Sequence, residues 1–215
     1  MSETGSFDFN AFINESKETL VNPKGYFSTM KTSGGMAEPV IKALIYGVVA
    51  GIIIFIWGAL GLGGAAGVLG AGIGVMALFW TVIAAVIGLF IGAVVILVVA
   101  SICKGNTDFE ACLRVAASVM VVMPISALLG FTTGINSVFG AIVALGVNLY
   151  GLYLLYYGLT EALKANPGTA KIITYVLAAI LVIFMIAGLG ATRSMNKYMN
   201  DYSREDLKEI MKDQE

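Results

Sequence analysis

An all-α integral membrane protein, a bundle of five transmembrane helices with short amphipathic helices at both ends, is the fold class predicted by this 215-residue sequence. Three observations carry the prediction. The chain is 58% hydrophobic and only 13% charged, where soluble domains carry about a quarter charged residues. Residues 43–103, 115–160 and 172–192 contain no Asp, Glu, Lys or Arg. These runs lack period-two alternation, so in lipid their backbone groups must pair within helices and not in a barrel. A hydrocarbon core of ~30 Å takes about 20 helical residues to cross, so the runs accommodate two, two and one spans.

Residues 1–41 form a polar, mildly acidic segment without the apolar stretch of a cleavable leader, so the first span is expected to serve as its own insertion signal. Within it Phe9, Phe12, Ile13 and Leu20 share roughly one helical face, which reads as a short amphipathic helix. Asn22-Pro23 breaks that helix, and Pro23 suits the first turn of a second one carrying Tyr26, Phe27 and Met30 before Ser33-Gly34-Gly35 ends it. The pair is expected to lie along the cytoplasmic interface or to pack under the bundle. Its aromatics either anchor the chain there or form a groove for a partner.

The membrane domain covers 42–191, with spans placed at 42–62, 76–101, 113–131, 136–160 and 170–191. The first reversal falls in the glycine-rich stretch 58–74, read as a tight hairpin or a partial re-entry. Small residues at four-residue spacing let membrane helices approach closely. Gly47 with Gly51 and Gly88 with Gly92 are read as such packing faces, a homo-oligomer contact being the alternative; Gly63 with Gly67, Gly70 with Gly74 and Gly130 with Gly134 repeat the pattern. Pro124 lies inside the third span, where it should kink the helix and free carbonyls near Met120 and Val121. Asn148, deep in the fourth span, is expected to seek a hydrogen bond across helices. Residues 192–215 form an amphipathic, charged tail, either on the membrane surface or extending the fifth span.

Orientation follows from basic residues in short loops. With the N-terminus cytoplasmic, Lys17, Lys24, Lys31, Lys42, Lys104, Arg114, Lys164 and Lys171 face inward. Five spans then place the C-terminus outside together with Arg193, Lys197, Arg204, Lys208 and Lys212, which runs against the rule.

Catalytic and metal chemistry find little support. The chain has no His, which removes the commonest general base and metal ligand. Its two cysteines, Cys103 and Cys112, lack the spacing of zinc or thiol-redox motifs. No cofactor is expected. A net charge of −1 without a basic stripe argues against nucleic acid. In the loop before the third span, Glu110 and Arg114 are spaced for a local i,i+4 pair.

Three segments together resemble a known family: NPKGYF at 22–27, KGNTDFEACLRVAASVMVVMP at 104–124 and YGLYLLYYGL at 150–159. They are similar to the Yip-one family, Ypt/Rab-interacting membrane proteins, in its short prokaryotic form, over about residues 20–190. The resemblance implies five spans with a cytoplasmic N-terminus, and a bacterial or archaeal cytoplasmic membrane as location. It implies a non-enzymatic role in membrane organisation, as in trafficking by eukaryotic members. Pro23, Tyr26, Phe27, Gly105, Phe109, Arg114, Pro124 and Gly158 are the positions matching its motifs. The expected function is a scaffold or adaptor whose cytoplasmic face, residues 7–31, 102–114 and 161–170, meets a protein partner or lipid headgroups. The alternative is a small-solute or lipid transporter or channel working through the first hairpin and the Pro124 kink.

Overall fold

The computed structural model describes residues 8–62 and 71–212, with side chains described for 8–62, 76 and 78–190. The described residues are organised as helices. Asp8 starts α1 (Phe9–Val21) by accepting the backbone N–H groups of Asn10 and Ala11 at 2.9 and 3.0 Å. Asn22 ends it and in the same place caps α2 (Pro23–Thr29), accepting from Gly25 N–H, with Pro23 in the first turn where its missing N–H costs nothing.

Five helices are long and apolar enough to cross a membrane: Ala37–Ala59, Leu78–Ile102, Phe109–Ile135, Ser137–Ala162 and Pro167–Gly190. The first of these is α3 (Ala37–Ala59). It starts before the expected residue 42 because Glu38 and Lys42, one turn apart, pair at 2.9 Å and need no water-exposed loop. It packs against α4 (Ala71–Ile102), the most extensive helix contact in the molecule. Gly47 and Gly51 make that approach close, since a Cβ on Gly47 would stand 2.7 Å from the Ala85 Cβ. The 88/92 pair does not pack in this way. A Cβ on Gly88 would meet nothing within 4 Å and one on Gly92 only the Ala116 Cβ at 3.8 Å. The expected turn at 58–74 and the pairs 63/67 and 70/74 reach outside the described residues.

The third span is broken into α5 (Phe109–Val119), α6 (Val122–Leu129) and α7 (Thr132–Ile135). The break falls at Met120-Val121, four residues before Pro124, which has no N–H to offer the Met120 carbonyl. That carbonyl accepts instead from Met123 N–H at 2.9 Å, as the kink expected from sequence requires. Asn136 ends the span and caps α8 (Ser137–Tyr157), accepting from Val138 and Phe139. A π-helical turn, Gly158–Ala162, closes the fourth span. The last helix, α9 (Pro167–Lys212), is unbroken, so the backbone of the tail continues the fifth span. The amphipathic face expected of residues 192–215 rests on side chains outside those described.

The buried core gathers at one end of the bundle, where Phe12, Tyr26 and Phe27 of the first two helices join Leu89 of α4, Leu113 of α5 and Leu154 of α8. Helices α1 and α2 therefore pack under the bundle as a cap. Cys103 and Cys112 are fully buried there as free thiols, and burial pushes the Cys103 thiol up, which keeps it protonated and unreactive.

Candidate functional site

The charged residues at the capped end converge on one place. Lys42, in the second turn of α3, sits between Glu15 of the cap at 2.6 Å and Glu38 at 2.9 Å. Arg114, in the second turn of α5, reaches Glu38 at 2.8 Å, Glu110 at 3.2 Å and the Gly35 carbonyl at 2.9 Å. Gly35 N–H in turn donates to Glu110 at 2.6 Å. Both cations are nine-tenths buried, with side chains 9% and 6% exposed, and the carboxylates form the outer, wetter side. Buried cations persist only where they are paired and hydrogen-bonded. Three carboxylates around two cations satisfy that demand while stitching α1, α3 and α5 together.

Beside this network lies a hollow of about 270 Å³ lined by Tyr26, Lys42, Arg114 and Ser118. The Tyr26 and Ser118 hydroxyls lie 2.9 Å apart, and Ser118 also donates to the Arg114 carbonyl at 3.0 Å. Burial pushes the Tyr26 phenol up, so it remains a neutral hydrogen-bonding group. A second tie joins the Ser16 and Tyr46 hydroxyls at 2.7 Å, with the Phe12 ring tilted against that of Tyr46, centroids 5.1 Å apart. A third comes from α8, where the Tyr150 hydroxyl donates to the Leu20 carbonyl.

Of the residues singled out from sequence, the fold brings several together. Pro23 is buried at the start of α2. Phe27 is fully buried and lies next to Gly158, where an added Cβ would come 3.5 Å from the Phe27 ring and 2.5 Å from Val115. Gly105 stands where the 103–108 and 163–166 connections are knitted by Asn106 N–H to Leu163 and Asn166 N–H to Cys103, leaving no room for a side chain beside Ala165. Phe109 opens α5 and packs half-buried against the core. Pro124 lies away from the cluster, in α6.

Two expectations are corrected. Among the described residues Asn148 makes no bond across helices: its amide donates to the Ala144 carbonyl of its own helix at 2.8 Å, and its side chain is exposed. An amide one turn along can satisfy itself on the i−4 carbonyl, so lipid imposes no need for a partner. The apolar face of α1 is also rotated. Phe12 and Leu20 turn inward with Ser16 and Thr19, while Phe9 and Ile13 are 56% and 49% exposed. Inward polar contacts from Glu15 and Ser16 set the rotation. The sequence reading did not bring Glu15, Glu38, Lys42, Tyr46 and Ser118 together as one site. Only the four-residue spacing of Glu38 and Lys42 could have flagged any of them.

The model of the Yip1 domain matches residues 17–189, a stretch that runs from the cap through all five membrane-crossing helices. Comparison with curated proteins and with solved structures gave no match.

Proposed function

This integral membrane protein belongs to the Yip1-domain family, and from that premise we propose that it acts as a non-enzymatic membrane-organising adaptor whose cap docks a protein partner. One observation carries the reading. The cap is fastened to the bundle by the Glu15–Lys42–Glu38–Arg114 network, yet it leaves Phe9, Ile13 and Val21 exposed, with Lys17 in the same line at four-residue spacing. Exposed apolar residues on a rigidly held helix are the kind of surface that partners bury. Tyr26 and Phe27, by contrast, are 7% and 0% exposed and serve packing. The cap faces the cytoplasm in this reading, in line with its lysines.

Crosslinking in intact cells followed by co-purification tests this. Wild type should recover discrete proteins, and Phe9→Ser with Ile13→Ser should lose them at unchanged thermal stability. Recovery of the same proteins by that double variant would overturn the docking surface. Transport is the second reading, and one observation favours it. A hollow of about 290 Å³ lies between α3 and the broken third span, and the one of about 270 Å³ lies between those two elements and the cap, with buried Tyr46 and Val121 falling between the hollows in sequence. Solute flux through reconstituted liposomes would put that reading in place of the adaptor.

A further inference from the structure

Helices α8 and α9 run antiparallel and enclose a crevice of about 430 Å³ on the side of the bundle. Its two ends differ in chemistry. Tyr156 and Lys171 line it near the 163–166 connection, Tyr153 and Tyr175 follow, and Leu149 and Ala178 line it about 10 Å deeper, at 1.5 Å per residue. Lys171 lies over the Tyr175 ring, its Nζ 5.9 Å from the centroid, and no carboxylate is among the lining residues. The crevice opens sideways: the most apolar stretch of α9 has none of its residues buried against the rest of the protein.

We propose that this crevice binds one phospholipid with an anionic headgroup. A soluble ligand would have to enter from the bilayer side, whereas a lipid is already there. The ammonium of Lys171 offers charge to a phosphate at the depth where the headgroups lie, and tyrosine hydroxyls supply donors beside it. The tyrosine rings are amphipathic, facing the headgroup with their hydroxyls and the acyl chain with their bodies. Leu149 and Ala178 then continue the wall for the first part of that chain. Absence of a carboxylate beside Lys171 makes an anionic lipid the better occupant than a zwitterionic one, whose positive group would meet only tyrosine rings and the like charge of Lys171.

Native mass spectrometry of the full chain in detergent, titrated with phosphatidylglycerol and with phosphatidylcholine of the same acyl chains, tests the site. Wild type should retain one phosphatidylglycerol in preference to phosphatidylcholine. Lys171→Gln should cut that preference about five- to tenfold, the range for one lysine at an anionic surface. Tyr153→Phe with Tyr156→Phe should weaken it in the same direction with the charge intact. Lys17→Gln and Lys24→Gln, on the cap, should leave it unchanged. Equal retention of the two lipids by wild type, or a Lys171→Gln protein that keeps the preference, would overturn the proposal. So would an equal loss in the cap variants, which would mean diffuse attraction to the whole face.

Discussion

At the scale of single residues, Arg114 shows how a buried cation is made tolerable. Its guanidinium satisfies three acceptors contributed by two other segments and its own helix, Glu38, Gly35 and Glu110. Arg114 meets them from three separate nitrogens, whereas a lysine carries the charge but directs all its donors from one atom and does not reproduce that spread. Arg114→Met should destabilise the protein by about 2–4 kcal/mol, somewhat below a fully buried pair because the carboxylates remain partly wet. Arg114→Lys should recover only part of the loss, and Lys24→Met, at an exposed position, should cost under about 0.5 kcal/mol. Thermal unfolding in detergent measures all three; full recovery by the Lys change would show that charge alone matters, and equal effects of the Met and Lys changes would show that charge contributes nothing. The local half of this network was legible in sequence, since Glu110 and Arg114 stand four apart. Its long-range half was not, because Glu38 lies 76 residues away and nothing in a periodicity reports which helices become neighbours.

At the scale of elements, the spans were legible because lipid leaves a charge-free chain few options, and the break at Met120 because proline has no N–H. Asn148 and the rotation of α1 were not. Each depended on a choice between two ways of satisfying polar groups, and both ways are compatible with the same sequence pattern. Glycines show the same limit: 47/51 and 88/92 look alike on paper, yet only the former meets a neighbouring helix closely. Gly158 makes a tight demand beside the cap, where an added Cβ would come 2.5 Å from Val115. Gly158→Ala should cost about 1–3 kcal/mol by overpacking against Val115. Combining it with Val115→Ala should cost less than the sum of the two changes, a coupling that a double-mutant cycle in detergent reads directly. Strict additivity would place the strain elsewhere. The family match, from 17 to 189, includes this contact together with α2 and the C-terminal part of α1.

At the scale of the whole molecule, an odd number of spans puts the cap and the tail on opposite sides of the bilayer. Single cysteines at Lys24, Lys164 and Lys212 test this in sealed cells with a membrane-impermeant reagent. The first two should be shielded and the third labelled, and labelling of all three from one side would remove the five-span arrangement. The unbroken α9 adds reach to this asymmetry. The part beyond the apolar stretch, from Gly190 to Lys212, amounts to about 33 Å of helix at 1.5 Å per residue.

The placement of the cap also fixes an order of events during biosynthesis. Tyr26 meets Ser118, 92 residues further along the chain, and Leu20 meets Tyr150, 130 residues further along. A ribosome adding about 5–20 residues per second needs roughly 5–20 s to make the first of those partners. For that interval Tyr26 and Phe27 have been synthesised but Ser118 and Gly158, which they meet in the bundle, have not. The cap is thus among the last parts to be folded, and the newborn chain waits with Tyr26 and Phe27 open to whatever factors attend its insertion.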